Sequence, residues 1–168
     1  MIVETKDINK TFGTGPSAVH ANRDINLTIP AGTIFGILGE NGAGKSTLMK
    51  ILSGFIHADS GQIILDKQVA QIHSPTDSIK YGIGMLHQDP LDFPPMRVID
   101  NFILGHPGKF IPEQGRIKTE LLEMEKRFGF DITPDGFVDA LTVGERQQLE
   151  IMRLLWLGVQ VLILDEPT

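Results

Sequence analysis

The sequence contains no cysteine, which excludes disulfide bonds and thiolate metal sites and favours a reducing compartment. It also lacks an excess of positive charge, because 15 Lys and Arg stand against 21 Asp and Glu, a net charge of -6. A protein held to nucleic acid by a broad basic surface is therefore not expected. No apolar run approaches the roughly 18 residues that a membrane-spanning helix needs. What is present, 168 residues of which 41% are hydrophobic and 21% charged, suits one folded domain.

The order of apolar runs and turns predicts an α/β domain that carries a helical insertion. Loose alternation over residues 1–29 predicts two or three antiparallel strands, and the apolar run at 33–38 predicts a buried parallel strand. The remaining elements are predicted as strands over 62–66, 83–87 and 161–164 and as helices over 45–53, after Pro75, within 98–130 and over 144–157.

Residues 39–46 read GENGAGKS and fit the pattern G-x-x-x-x-G-K-[ST] of a phosphate-binding loop. Its glycines let successive backbone N–H groups point at one anion, and the helix that follows adds its positive end. Lys45 can reach the β- and γ-phosphates of a nucleotide, and the Ser46 hydroxyl can bind Mg²⁺. The alternative is a simple glycine turn between a strand and a helix.

The apolar tetrad at 161–164 is followed by two carboxylates, Asp165 and Glu166. An acidic residue at the end of a buried strand is the expected partner of a phosphate-binding loop, because it holds Mg²⁺ beside the nucleotide. Asp165 is the candidate for that role, and Glu166 is the candidate base that polarises the attacking water.

The order of four motifs resembles that of the ATP-binding cassette (ABC) ATPases: GENGAGKST at 39–47, His87-Gln88, LTVGERQ at 141–147 and LILDEPT at 162–168. Asp165 follows Lys45 by 120 positions, which leaves room for the helical subdomain of that family. The resemblance implies an α/β P-loop NTPase fold of the ABC ATPase type, with an N-terminal antiparallel β region and an α-helical insertion. It further implies a nucleotide-binding core over 1–97, a helical subdomain over 98–143, and a signature helix with its acidic strand over 144–168.

The resemblance assigns candidate roles residue by residue, with ATP and Mg²⁺ as the cofactors. The implied ATP contacts are Phe12, Gly39, Asn41, Gly42, Ala43, Gly44, Lys45, Ser46, Thr47, Thr142, Val143, Gly144 and Glu145. The implied Mg²⁺ ligands are Ser46, Gln88 and Asp165, and the implied catalytic residues are Gln88 and Glu166. Phe12 matches an aromatic residue that stacks on adenine, although it could instead be a core or turn residue.

The signature segment, residues 141–145, departs from the common L-S-G-G-Q at three positions. Thr142 keeps a hydroxyl, Val143 replaces Gly, and Glu145 replaces Gln, whereas Gly144 is retained. The segment is expected to open a helix and to complete the phosphate cage of a partner subunit's ATP. This V-G-E form, with SPTD at 74–77 and GIGMLHQ at 82–88, resembles importers of simple sugars and nucleosides.

The resemblance also implies partners: transmembrane permease subunits, a second ABC ATPase domain in a dimer and, indirectly, a solute-binding protein, with no nucleic acid. The protein is expected to be cytoplasmic and peripherally bound at the inner face of the cell membrane. Residues 89–96 (DPLDFPPM), named here the post-glutamine loop, are expected to contact the permease, unless they form a self-packed proline loop.

Two other functions stay open at the level of sequence: a nucleotide-binding module that does not hydrolyse ATP, and a soluble ABC ATPase that acts on nucleic acid or ribosomes. The family continues past the acidic pair with a strand that ends in a histidine at the γ-phosphate. The chain is therefore expected to be a domain that is incomplete at its C-terminus, and weak or inactive as an ATPase by itself.

Overall fold

The computed structural model describes residues 1–87, 89–105 and 114–165. The chain divides into two units, one formed by Met1–Met85 with Gln160–Asp165 and the other by Leu86–Val159. The first unit carries the sheet and the phosphate-binding loop, and the second is mainly helical.

The first unit is built on a four-stranded sheet in the order β2-β1-β3-β4. Its strands are β1 (Val3–Phe12), β2 (Val19–Ile29), β3 (Ser60–Leu65) and β4 (Gln68–Ala70), and each neighbouring pair is antiparallel. The two residues that join β3 to β4 both have positive φ, 46° and 69°, which is the backbone that a tight two-residue hairpin requires. The antiparallel pairing of β1 with β2 confirms the antiparallel strands predicted over residues 1–29.

Helix α1 (Lys45–Leu52) follows the phosphate-binding loop directly and buries Leu48, Ile51 and Leu52 on one face. It ends at Leu52, two residues before Gly54, whose φ is +76° and whose added Cβ would lie 2.3 Å from the carbonyl oxygen of Ser74. Only glycine fits that turn, so the predicted helix and its end are both confirmed.

The rest of the first unit is a short helix and a second, two-stranded sheet. Helix α2 (Pro75–Lys80) starts at Ser74, whose side chain accepts the N–H of Asp77, and it precedes strand β5 (Ile83–Leu86). Strand β5 is bonded to β6 (Val161–Leu164). The buried core of this unit contains Val3, Ile8, Leu48, Ile51, Leu52, Ile63, Leu65, Ala70, Ile83, Met85 and Ile163.

The structure corrects one predicted element, the buried parallel strand at residues 33–38. Within the described part of the chain these residues belong to neither sheet. Ile34 and Leu38 have relative exposures of 106% and 97%, whereas Ile37 is partly buried against the core. An apolar run favours burial, but a strand also requires a neighbour to share its backbone hydrogen bonds. Here β5 and β6 pair with each other and leave residues 33–38 unpaired.

The second unit contains helices α3 (Val98–Ile103), α4 (Gln114–Phe128) and α5 (Val143–Trp156), as the helical pattern predicts. Their apolar faces meet in one core, in which Phe102, Leu121, Val138 and Met152 are fully buried. The Phe102 and Trp156 rings lie 4.9 Å apart between centroids, at an angle of 36°. Among the described residues, no helix is both long and apolar enough to cross a membrane.

Phe102 should dominate the stability of the second unit. Phe102→Ala removes a fully buried ring, and a cavity of that kind costs about 3–5 kcal/mol. The measurement is urea-induced unfolding followed by the fluorescence of Trp156, the single tryptophan and itself a member of this unit. The control is Phe93→Ala, because that ring is 57% exposed and its loss should barely move the midpoint. Equal midpoints for the two variants would contradict this account of the core.

Candidate functional site

The phosphate-binding loop, residues 39–46, turns sharply and leads into α1. Gly42 and Gly44 have φ values of 82° and 83°, and the N–H of Ala43 bonds the carbonyl of Glu40 at 3.2 Å. The N–H of Leu48 bonds the carbonyl of Gly44 at 3.0 Å, which starts the helix. Gly44 is the N-cap and provides no side-chain cap, so the first N–H groups of α1 remain available to an anion.

Strand β2 is in close contact with this turn. A Cβ added at Gly44 would lie 1.9 Å from the carbonyl oxygen of Ala21 and 2.9 Å from Nδ2 of Asn22. Together with the positive φ, this contact leaves room for glycine alone. The loop is therefore positioned by the sheet as well as by its own sequence.

Lys45 extends back across the loop that precedes it. Its Nζ donates to the carbonyl oxygens of Gly39 at 2.7 Å and of Glu40 at 2.9 Å. The ammonium group is thus held inside the loop, where a bound phosphate would meet both a full positive charge and oriented N–H groups.

Ser46 and Asp165, which are 119 residues apart in sequence, lie side by side. The Ser46 Oγ donates to Asp165 Oδ1 at 3.2 Å in a partly buried position. A hydroxyl and a carboxylate are hard oxygen ligands, the type that Mg²⁺ prefers, and Mg²⁺ commonly takes its remaining ligands from phosphate and water. No cluster of three or more His, Cys, Asp or Glu in the described ranges could hold a metal without such help. The pair therefore fits an ion that arrives with a nucleotide.

The other predicted residues of the loop are found along it and on α1. Gly39 and Asn41 are exposed, Ala43 lies in the turn, and Thr47 is on the first turn of α1. The predicted residues Gln88 and Glu166 lie outside the described residues.

Phe12 is at the end of β1 with a relative exposure of 43%, so it is not a core residue. The Nζ of Lys10 lies 5.5 Å from its ring centroid and also bonds Asp59 at 2.8 Å. Lys10 pairs across the sheet with Asn22, next to the phosphate-binding loop. Since strand residues rise by about 3.3 Å each, the ring is roughly 7 Å along β1 from the pair that touches the loop.

The signature segment opens helix α5, as the sequence predicts, and Thr142 is its N-cap. The Glu145 carboxylate accepts both the N–H and the hydroxyl of Thr142 at 2.7 Å, and the Thr142 hydroxyl accepts the N–H of Glu145 at 3.3 Å. This capping box lowers the pKa of Glu145, chiefly through the hydrogen bond from the Thr142 hydroxyl. The N–H groups of Val143 and Gly144 have no acceptor within the helix by its geometry.

The post-glutamine loop is tied to two helices of the second unit. The Asn101 side chain on α3 accepts the N–H of Phe93 at 2.8 Å and donates to its carbonyl at 3.1 Å. Asp92 forms a bidentate pair with Arg146 of α5, with Nε donating to Oδ2 at 2.6 Å, and this pair raises the pKa of Arg146. Leu91 and Phe93 are 50% and 57% exposed. The loop is thus bonded to α3 and α5 through Phe93 and Asp92, while the side chains of Leu91 and Phe93 are exposed.

Sequence reasoning missed Ala21, Asn22, Asp92, Asn101 and Arg146. The Asp92–Arg146 ion pair could not be found by spacing, because it joins residues 54 positions apart. The bonds between Asn101 and Phe93 depend on how the loop folds back onto α3. Ala21 and Asn22 keep the alternation of apolar and polar residues along β2, so that pattern does not reveal the bulge that the structure shows at this point.

A family model and individual relatives place this chain in the same family. Residues 22–168 match the model of the ABC transporter domain family. The nucleoside import ATP-binding protein NupA of Lactococcus lactis is 37% identical over 169 residues, which is 99% of this chain and 33% of that protein. The ribose import ATP-binding protein RbsA of Caldanaerobacter subterraneus is 38% identical over 172 residues, which is 99% of this chain and 34% of that protein.

The chain therefore spans about a third of the length of the curated relatives that it matches. Among solved structures, cbiO1 of Clostridium perfringens, part of the ABC transporter complex cbiONQ, superposes with a TM-score of 0.77 at 29% identity. That likeness covers 99% of this chain and 65% of cbiO1. With its family model matched over 22–168 and its fold shared with a solved cassette, the chain belongs to the ABC transporter family.

Proposed function

We propose that this chain is the nucleotide-binding part of a subunit that hydrolyses ATP to energise uptake of a simple sugar or nucleoside. The observation that carries the proposal is the phosphate-binding loop, with Lys45 held across it and Ser46 bonded to Asp165. The direction and the solute class are supported by the names of NupA and RbsA, which are nucleoside and ribose import proteins.

In this proposal the triphosphate of ATP lies in the loop at 39–46. The N–H groups of the loop and of the first turn of α1 bind the phosphate oxygens, and Lys45 neutralises charge at the β- and γ-phosphates. Phe12 supports the adenine ring, for which its exposed position at the end of β1 is suited.

Ser46 and Asp165 would hold Mg²⁺, joined by Gln88 as the resemblance implies. The ion supplies neutralisation of charge on the phosphate oxygens when it is bound. Ser46 offers a hydroxyl and Asp165 a carboxylate, and their hydrogen bond places the two oxygens next to each other.

The hydrolytic step rests on Glu166 and Gln88 through the order of the motifs. Glu166 would accept a proton from the attacking water, and Gln88 would orient that water. Thr142, Val143, Gly144 and Glu145 would face the ATP of a second ABC ATPase domain.

The same proposal includes the partners and the place of action. Transmembrane permease subunits would contact the post-glutamine loop, where Leu91 and Phe93 are exposed, and a solute-binding protein would act through them. The protein would then lie in the cytoplasm at the inner face of the membrane. Residues 1–97, 98–143 and 144–168 would serve as nucleotide-binding core, helical subdomain, and signature helix with acidic strand.

Lys45→Ala should weaken binding of MgATP more than tenfold, about 1.4 kcal/mol or more, because it removes the charge held inside the loop. Isothermal titration calorimetry measures this loss. Lys50→Ala is the matched control, since Lys50 is on the same helix but in its last turn. Identical affinity of Lys45→Ala and the unmodified protein would refute the assignment of the loop.

Asp165→Asn should remove the effect of Mg²⁺ on ATP binding, because the amide keeps the shape of the carboxylate but not its charge. The unmodified protein should bind ATP more tightly with Mg²⁺ than with EDTA, whereas the variant should show one affinity in both. Any Mg²⁺-dependent release of phosphate should fall in parallel. A variant that keeps the full difference between Mg²⁺ and EDTA would show that Asp165 does not serve the ion.

Phe12→Ala should cost about 1–3 kcal/mol of ATP affinity, by analogy with aromatic–base stacking elsewhere. GTP should lose a similar amount, because stacking accepts either purine. Phe55→Ala is the control, as Phe55 has the same 43% exposure. If Phe12→Ala lowered only the unfolding midpoint and left nucleotide affinity intact, Phe12 would be a structural residue.

A further inference from the structure

Asn22 on β2 is a buried amide next to the phosphate-binding loop. Its relative exposure is 5%, and its Nδ2 donates to the carbonyl oxygen of Gly44 at 3.1 Å. No motif of the family resemblance includes this residue. Asn22 is therefore a buried polar residue that contacts the loop without belonging to it.

The strand is irregular at this point. Lys10 pairs with Asn22 but the next residue, Thr11, pairs with His20, so Ala21 is an extra residue on β2. Such a bulge bends the strand and redirects its backbone and side chains. Here it brings the Ala21 carbonyl against Gly44 and places the Asn22 amide beside the Gly44 oxygen.

The Asn22 side chain is costly for folding. Within the described residues its Oδ1 is buried and has no hydrogen-bond partner. Exchanging the oxygen and nitrogen would only set Oδ1 against the Gly44 oxygen, where two acceptors repel. An unsatisfied buried acceptor lowers stability, and an apolar side chain of similar size would avoid the loss. Folding alone therefore does not explain an asparagine at this position.

The bond to Gly44 has a consequence for the loop. The peptide unit that contains the Gly44 carbonyl also contains the N–H of Lys45, and in a planar trans peptide the two point in opposite directions. The Gly44 oxygen already accepts the N–H of Leu48 at 3.0 Å. A second bond from Asn22 holds the whole peptide plane, and so fixes the direction in which the Lys45 N–H points away from the helix.

We propose that Asn22 is a positioning residue of the phosphate-binding loop, which orients the Gly44–Lys45 peptide toward phosphate at the expense of folding stability. The proposal rests on the proposed binding of ATP to this loop. It assigns to the bulged strand β2 a role in ligand binding, through one hydrogen bond and without contact to the nucleotide.

Asn22→Leu is the decisive variant, because it removes the donor to Gly44 and the unsatisfied oxygen together. MgATP affinity, measured by calorimetry, should fall about tenfold, while the thermal unfolding midpoint stays equal or rises. A residue with a merely structural role would not lower affinity while leaving the midpoint intact. An unchanged affinity, or a loss of affinity that accompanies a lower midpoint, would overturn the proposal.

Thr5→Val is the matched control in the same sheet. Thr5 is also 5% exposed, and its hydroxyl donates to a carbonyl of β2, that of Ile25, at 3.1 Å, but it is not bonded to the phosphate-binding loop. Its replacement should leave MgATP affinity unchanged. A loss equal to that of Asn22→Leu would assign the effect to the sheet in general and would overturn the proposal.

Asn22→Ala is the second variant, used if the leucine variant does not fold. Alanine also removes the donor to Gly44 and adds neither charge nor bulk, so MgATP affinity should again fall about tenfold; retained affinity would overturn the proposal. Binding of MgATP by the unmodified protein distinguishes a failure of the proposed function from a failure of this inference. If it fails to bind MgATP, the proposed function fails, whereas equal binding by the unmodified protein and the Asn22 variants overturns this inference alone.

Discussion

The close approach of strand β2 to Gly44 is the constraint on which the first unit depends. The Ala21 carbonyl leaves no space for a Cβ at Gly44, and the positive φ of Gly44 sets the start of α1. The helix then buries Leu48 and Ile51 in the same core as the sheet residues Val3 and Ile63. One backbone contact thus joins the position of the loop to the packing of the unit, so that neither can shift without the other.

The electrostatics of the loop are local and do not follow the charge of the chain. The net charge is -6, yet residues 39–46 present oriented N–H groups, the N-terminal end of α1 and the Lys45 ammonium. Lys45 is bound to two loop carbonyls, so its charge is already in place before an anion arrives. An acidic protein can therefore hold a polyphosphate, because the site depends on fixed dipoles and one cation within a few ångströms.

The sequence predicted well wherever structure depends on nearby residues. The glycine loop, the helix that ends just before Gly54, and the helix whose N-cap is Thr142 follow from local turn and capping chemistry. The predicted strand at 33–38 was wrong because strand formation depends on a neighbour, which an apolar run does not specify. Asn22 and the Asp92–Arg146 pair escaped prediction for the same reason, since their partners are distant in sequence.

Helix α1 begins at the phosphate-binding loop and helix α5 at the signature segment. The two helices differ in how the N–H groups of their first turns find acceptors. Helix α1 begins at a glycine without a side-chain cap, which leaves its N-terminal amides to a ligand. Helix α5 begins with a capping box, in which the ionised Glu145 carboxylate occupies the Thr142 N–H and hydroxyl. An anion placed on α5 would meet that carboxylate at the same helix end, so the two negative charges would compete for the same donors. The N–H groups of Val143 and Gly144 are outside the capping box, so they are the donors of this helix end that the box leaves unused.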